Sequence, residues 1–302
     1  GIEVRIFEEN NTDIPDTPQT PSGQSKIIDA PFISQMPNYP TGCESVATVM
    51  ALQYAGKNIS ADTFIDQYLP IEPLNPLLPV SFDPYITFGG NPRTMDGYGC
   101  YAPVIKTALD KIFANTYYTA ENITGLSLPE LCSKYIDNNI PVIVWATMEM
   151  KTPYISKTWT AWTGRKIQWV APEHCLLLVG YDDYFYYFND PRDSKARTYY
   201  RKEAVDRAYK AQGSQAVVIQ ADARTAREWK VRQVLSVFEM VKDKLPSGSI
   251  EFDSDIPLLY SKSNGETIDV KLKVSESLNL MPTNTNVIYN VRNGKLDIDM
   301  NI

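Results

Sequence analysis

Apolar positions along the chain follow two periods. Val46, Val49 and Met50, with Ala47, Ala51 and Tyr54 beside them, recur at helical spacing and predict a helix over residues 43–55, closed by Gly56. Ser60 reads as the N-cap of a second helix over 60–68. Further helices are expected over 102–114, 127–138 and 201–211. Compact apolar or alternating runs predict strands over 28–33, 141–148, 174–181, 185–189 and 216–219, with Asp182-Asp183 as a hairpin turn. Residues 70–100 are dense in proline and glycine and read as one long irregular loop, a length usually tied to function or disorder. Helices first and mostly antiparallel strands afterwards give an α+β pattern.

The ends differ in character from this middle. Residues 9–27 are rich in Pro, Thr, Asn and Ser and lack the apolar surface to fold alone, so 1–27 is expected to be a linker or stalk. Residues 221–302 read as an extension of one amphipathic helix over 225–244 followed by four short β-like runs. Asn293-Gly294 marks a hairpin between the last two. The main domain is therefore expected over 28–220. The chain opens at Gly1, which reads as a trimmed start that leaves room upstream for a signal or anchor segment.

Charge narrows the partners. Lys plus Arg is 29 against 36 for Asp plus Glu, a net charge of −7, and no basic run suits a phosphate backbone, so nucleic acid is not expected. No apolar stretch approaches the ~18 residues of a membrane span. The four cysteines, Cys43, Cys100, Cys132 and Cys175, match no zinc spacing, and neither metal nor cofactor is expected. Cys43 is expected to be a free thiol, with at most one bridge, Cys100 to Cys132.

Candidate chemistry lies in three segments: Ile33-Ser34-Gln35, Thr41-Gly42-Cys43-Glu44-Ser45, and Glu173-His174 through Asn189-Asp190-Pro191. A cysteine in the first turn of a helix has its thiolate favoured by the helix dipole and by free N–H groups. His174 is the sole histidine of the chain and opens an apolar strand. Cys, then His, then an Asp or Asn that orients the ring is the order needed for thiol acyl transfer. From the residues alone, Asn189 and Asp190 both remain open as the third member. Gln35, eight residues before Cys43, can offer an amide N–H to an oxyanion. Glu44 and Glu173 flank the dyad and are expected to face solvent or cap. Cys175 is expected in the core. Tyr154, Trp159, Trp162 and Trp169 form an aromatic insert that either walls a cleft or packs beneath a loop.

The run Ala30-Pro31-Phe32-Ile33-Ser34-Gln35, followed by Tyr39-Pro40-Thr41-Gly42-Cys43-Glu44-Ser45, resembles the signature of the C39-like peptidases. These are relatives of the bacteriocin-leader-processing peptidases in the papain-like superfamily. The resemblance continues through Gly97-Tyr98-Gly99, Glu173-His174-Cys175, Val179-Gly180-Tyr181-Asp182, Asn189-Asp190-Pro191 and Gly213-Ser214-Gln215-Ala216-Val217-Val218. It implies a papain-like fold, with N-terminal helices packed on an antiparallel sheet and a small C-terminal extension. It further implies Cys43 as nucleophile, His174 as base, Asp190 as orienter and Gln35 as oxyanion donor, acting on a peptide or protein substrate. No transporter segment follows the peptidase-like region, so a stand-alone secreted or cell-surface bacterial protein is expected, attached to wall or membrane through an upstream segment. Two alternatives stand beside hydrolysis: a transglutaminase-like acyltransferase using the same dyad, and a non-catalytic surface-binding module on a peptidase fold.

Overall fold

A computed structural model describes residues 23–116 and 118–221. Beyond them it describes residues 239, 242–244, 248–251, 256–261, 263–265, 267–272, 286–292 and 295–301. In chain order the elements begin with β1 (Lys26–Ile27), α1 (Cys43–Tyr54), α2 (Ala61–Gln67), β2 (Ile71–Glu72), β3 (Phe88–Gly89) and α3 (Ala102–Phe113). There follow β4 (Tyr118–Asn122), α4 (Leu128–Lys134), β5 (Val142–Thr147), β6 (Tyr154–Thr160), β7 (Lys166–Ala171) and β8 (Glu173–Tyr181). β9 (Phe185–Asn189), β10 (Thr198–Arg201), α5 (Lys202–Ala211) and β11 (Ala216–Ala221) complete this part. The fold is α+β.

The main sheet is antiparallel throughout, in the order β10-β9-β8-β5-β11-β4, with β1 paired to the end of β8. β8 is buried along its whole length, as is β5, so both read as unbroken apolar runs rather than alternating ones. Helix α1 packs on β8 and β5. Its residues from Cys43 to Leu52 are all buried, which explains why Ala47, Ala51 and Val49 surround it on every side. Ser60 caps α2 by accepting from Thr63 N at 3.1 Å, and Ser127 with Glu130 forms a capping box on α4.

Several expectations are corrected. The strand expected over 28–33 does not form: pairing stops at β1, which lies at the end of the expected linker, with Ile28 N still donating to Val179 O at 2.7 Å. Pro31 has no N–H to give a ladder, and the carbonyls of Ala30 and Pro31 instead accept from the Asn189 side chain. The helix over 127–138 ends at Lys134 and continues as a 3₁₀ turn, Ile136–Asn138, closed by Asn139 at φ 59°. Strands β4 and β10 were not expected, and the aromatic insert is a two-stranded hairpin, β6–β7. All four cysteines are free and buried, so there is no Cys100–Cys132 bridge. Among the described residues, no helix is long and apolar enough to cross a membrane.

Beyond residue 221 the described strands are β12 (Gly248–Glu251), β13 (Ile256–Ser261), β14 (Thr267–Leu272), β15 (Asn286–Arg292) and β16 (Lys295–Asn301). β13 pairs with β14, and β15 with β16, both antiparallel. The expected helix over 225–244 lies almost wholly outside the described residues, as do Asn293-Gly294 and the linker up to residue 22.

Trp145, at the middle of β5, is fully buried and donates from Nε1 to Cys100 O at 2.8 Å, tying the sheet to the loop before α3. Trp145→Ala is expected to cost about 3–5 kcal/mol through the cavity and the lost partner. A drop in urea midpoint at unchanged m-value would register it.

Candidate active site

Cys43 is the first residue of α1. Gly42 precedes it with no room for a side chain, since a Cβ there would lie 3.0 Å from the Tyr39 Cβ and 3.1 Å from that of Pro92. The sulfur lies against β8, where the Cys175 backbone N–H hydrogen-bonds it. His174, the residue before, is fully buried, and its Nε2 meets Asp190 Oδ1 at 2.6 Å. The other ring nitrogen, Nδ1, is buried and has no hydrogen-bond partner. Asp190 is held in turn by Arg192 N, which donates to the same oxygen at 2.9 Å. Its carboxyl is kept below the usual carboxylate range: burial raises it, but the His174 charge, its hydrogen bond and Arg192 together outweigh burial.

The choice between Asn189 and Asp190 has a geometric answer. Successive strand residues point to opposite faces, and Asn189 is committed elsewhere. Its amide donates to Ala30 O and Pro31 O, both at 3.0 Å, and its oxygen accepts from Arg197 N. Asp190 is the residue on the imidazole. Asn189 anchors the segment 30–35 that carries Gln35, helped by Gln35 N donating to Pro191 O at 2.7 Å.

Gln35 is buried, and both hydrogens of its Nε2 are engaged, with Tyr39 O at 3.1 Å and Pro40 O at 3.0 Å. Its Oε1 is buried without a partner. In this substrate-free arrangement the side chain braces the turn before Cys43, and the amide is turned away from an oxyanion role.

Glu44 and Glu173 depart furthest from expectation. Neither faces solvent: Glu44 is 0% exposed and Glu173 7%. Glu44 Oε1 accepts from Cys100 N at 2.7 Å, and the Cys43 thiol donates to Glu44 Oε2 at 3.3 Å. Glu173 Oε1 has no partner. Burial pushes the Glu44 carboxyl up to about 7, opposed by the Cys100 hydrogen bond. Burial, then the Glu44 charge, pushes Glu173 well above its ordinary value. The thiol is affected in the same direction: burial, then Glu44 and Glu173, hold Cys43 well above a free cysteine despite its place at a helix start. Cys43, Glu44 and Glu173 each offer one ligand atom within 4.8 Å of the others. No metal is assigned there. The signal in the sequence was the acidic residue beside each member of the dyad.

The loop over 70–101 closes this side. Gly99, at φ +133°, has Glu44 Oε1 only 2.5 Å from where a Cβ would stand, so only glycine lets the loop lie so close. The β6–β7 hairpin pins the loop through an aromatic cluster of Phe82, Tyr98, Tyr101, Trp159 and Trp169. Trp159 Nε1 donates to Phe82 O at 2.8 Å. Trp169 is buried in this packing, whereas Tyr154 and Trp162 stand about 60% and 59% exposed on the hairpin.

The sequence model of the Peptidase_C39 like family matches residues 27–217. The uncharacterized protein YvpB of Bacillus subtilis (strain 168) is 32% identical over 201 residues, 66% of this chain and 77% of the relative. A crystal structure of a candidate C39-like peptidase from Bacillus anthracis superposes with a TM-score of 0.58 at 27% identity, over 65% of this chain and 98% of that one. The chain belongs to the C39-like peptidase family.

Proposed function

We propose that the protein is a cysteine peptidase that cleaves peptide bonds through a thioester acyl-enzyme. The observation that carries this reading is the buried His174 ring, bound to Asp190 at 2.6 Å through Nε2 and free at Nδ1, beside the strand residue whose N–H meets the Cys43 sulfur. Asp190 fixes the tautomer, so Nδ1 is the nitrogen left to exchange a proton with the thiol. Cys43 Sγ attacks the scissile carbonyl while its proton passes to His174 Nδ1. The tetrahedral oxyanion is met by the Cys43 backbone N–H, one of the donors that a helix start leaves over. His174 then gives the proton to the leaving amine, and the thioester is hydrolysed by a water that the same ring deprotonates. Gln35 joins the oxyanion site when its amide exchanges a carbonyl of Tyr39 or Pro40 for the substrate oxygen.

The substrate is a peptide or protein. Acyl transfer to an amine would use the same groups, and products analysed with and without added amine separate the two outcomes. The burial of Cys43, 5% exposed, and of His174 favours the binding-module reading as the runner-up.

Cys43→Ala is expected to abolish cleavage of any peptide that the native protein hydrolyses, and His174→Ala to lower kcat/KM by about 10²–10⁴-fold. Activity retained by Cys43→Ala would sink the mechanism. Independently of substrate, the ion-pair reading expects iodoacetamide to label native Cys43 below the ~8.5 of a free thiol, against the upward push that burial, Glu44 and Glu173 exert on the thiol. That labelling should vanish in His174→Ala. Labelling that starts only near the free-thiol range in both proteins would leave the binding module.

A further inference from the structure

On one side the main sheet ends at β10, and that edge is open. Lys202 N donates to Tyr184 O at 3.0 Å, which sets the phase of the β9–β10 ladder. In an antiparallel pair, hydrogen-bonded residues alternate with unbonded ones. Thr198 and Tyr200, opposite Phe188 and Tyr186, therefore turn their N–H and C=O groups to β9. Tyr199 and Arg201, opposite Tyr187 and Phe185, turn theirs outward. Both residues are exposed, and the Tyr199 N–H and C=O and the Arg201 N–H have no partner among the described residues. The Arg201 carbonyl belongs to α5, which Arg201 caps.

The residues around this edge are charged against the rest of the chain. The net charge is −7, yet residues 191–202 hold Arg192, Lys195, Arg197, Arg201 and Lys202 against one acid, Asp193. Arg197 is paired with Asp29, and Lys202 lies over the Tyr181 and Tyr186 rings. Arg192, Lys195 and Arg201 are exposed and form no ion pair among the described residues. Beside them the Tyr199 ring meets Phe185 at 5.1 Å and Tyr187 at 5.9 Å between centroids, and the Arg201 guanidinium stands 5.6 Å over Phe185. Like charge repels a second copy of this edge, the usual protection of an unpaired strand. A strand of opposite charge is attracted by the same groups.

We propose that β10 is a docking edge for an extended acidic segment of the peptide or protein that the site acts on. The segment adds to the sheet as a strand beyond β10. Its backbone takes the Tyr199 N–H and C=O and the Arg201 N–H, its carboxylates lie on Arg201, Arg192 and Lys195, and an apolar side chain rests on the Tyr199 ring. This rests on the peptidase reading and adds a substrate class to it. Thr198 stands opposite Phe188, two residues before Asp190, so one end of the added strand is level with the site. From that strand to β8 is three strand spacings, about 14 Å or roughly four extended residues. The scissile bond is therefore expected a few residues from the acidic stretch.

The test is fluorescence anisotropy of labelled peptides, about eight residues long to match a strand, added to the full chain. One peptide alternates Glu with Val and its control alternates Lys with Val. The Glu peptide is expected to bind and the Lys peptide is not. Binding should weaken about tenfold when Lys195→Glu and Arg201→Glu are combined, the effect of losing two or three exposed ion pairs. Tyr199→Pro removes the outward N–H and leaves the bonds of Thr198 and Tyr200 to β9 in place. It should bind about fivefold more weakly than Tyr199→Ala, which keeps that N–H. Should Tyr199→Pro not fold, hydrogen exchange of the native protein replaces it: the Tyr199 and Arg201 amides slow on adding the Glu peptide if a strand is added, and unchanged amides overturn the proposal. No binding, equal binding of the two peptides, or charge reversal without effect would overturn the docking edge. Tyr199→Pro equal to Tyr199→Ala would leave a charged surface only and overturn strand addition. Anisotropy needs no turnover, so these failures are distinct from a Cys43→Ala that still cleaves, which overturns the peptidase reading.

Discussion

The site depends on the burial of β8 more than on any single bond. All nine residues from Glu173 to Tyr181 are enclosed, with β5 on one side and β9 on the other. A register slip of one residue would turn His174 and Cys175 to the wrong faces and expose a full set of apolar side chains, so the register is fixed by the core. Once it is fixed, the short turn at Asp182 returns the chain along β9, Leu177 lies opposite Asn189, and Asp190 is delivered back towards residue 174. Helix α1 lies across the same strand and brings Cys43 to its start. His174 and Asp190 therefore meet, and Cys43 is set against the same strand, because one apolar strand admits only one arrangement of its neighbours.

The same burial creates the tension in the site. Enclosing Glu44 and Glu173 without a paired cation is costly, and a structure built for stability alone would have put apolar residues there. What they obtain in exchange is local. Glu44 takes the Cys100 N–H, which pins the 70–101 loop beside Cys43, while Trp145 takes the Cys100 carbonyl from the sheet side. Cys100 is thus held from both directions, and the aromatic cluster around Trp159 and Trp169 locks the loop against the β6–β7 hairpin. The long Pro- and Gly-rich segment is ordered by these contacts together with the short β2–β3 pairing.

Much of this was legible in the sequence. The helix at Cys43, the β8 run, the turn at Asp182 and the lone histidine all carry strong local signals, and each lies where the periodicity put it. The departures have physical causes. β4, with the sequence Tyr-Thr-Ala-Glu-Asn, is an edge strand with three exposed positions and too little apolar character to stand out. The strand expected over 28–33 did not form, because Pro31 has no N–H for a ladder and the carbonyls of Ala30 and Pro31 accept from Asn189. Glu44 and Glu173 were read as surface residues because charged side chains almost never lie fully buried unless paired. For Glu44 the rule fails because its carboxyl takes the Cys100 N–H, a contact across 56 residues that no local pattern contains. Adjacent polar residues left the third member open until the structure showed Asn189 engaged with Ala30 and Pro31.

The substrate-free arrangement also bears on how binding energy is used. The Cys43 thiol rests on Glu44, His174 Nδ1 has no partner, and the Gln35 amide is spent on the carbonyls of Tyr39 and Pro40. Of the groups the proposed acyl transfer would use, His174 is already on Asp190, whereas the thiol and the Gln35 amide are engaged elsewhere. Catalytic hydrogen bonds often tighten only in the complex, and here there is a specific reason. Closing the thiol onto His174 leaves Glu44 Oε2 without its donor, and turning Gln35 towards an oxyanion leaves a backbone carbonyl without one. On the proposed mechanism a bound substrate would supply those replacements, so contacts remote from the scissile bond would be converted into alignment at it. That is binding energy used for the transition state rather than the ground state, and it makes Glu44 and Gln35 two ends of one adjustment around the first turn of α1.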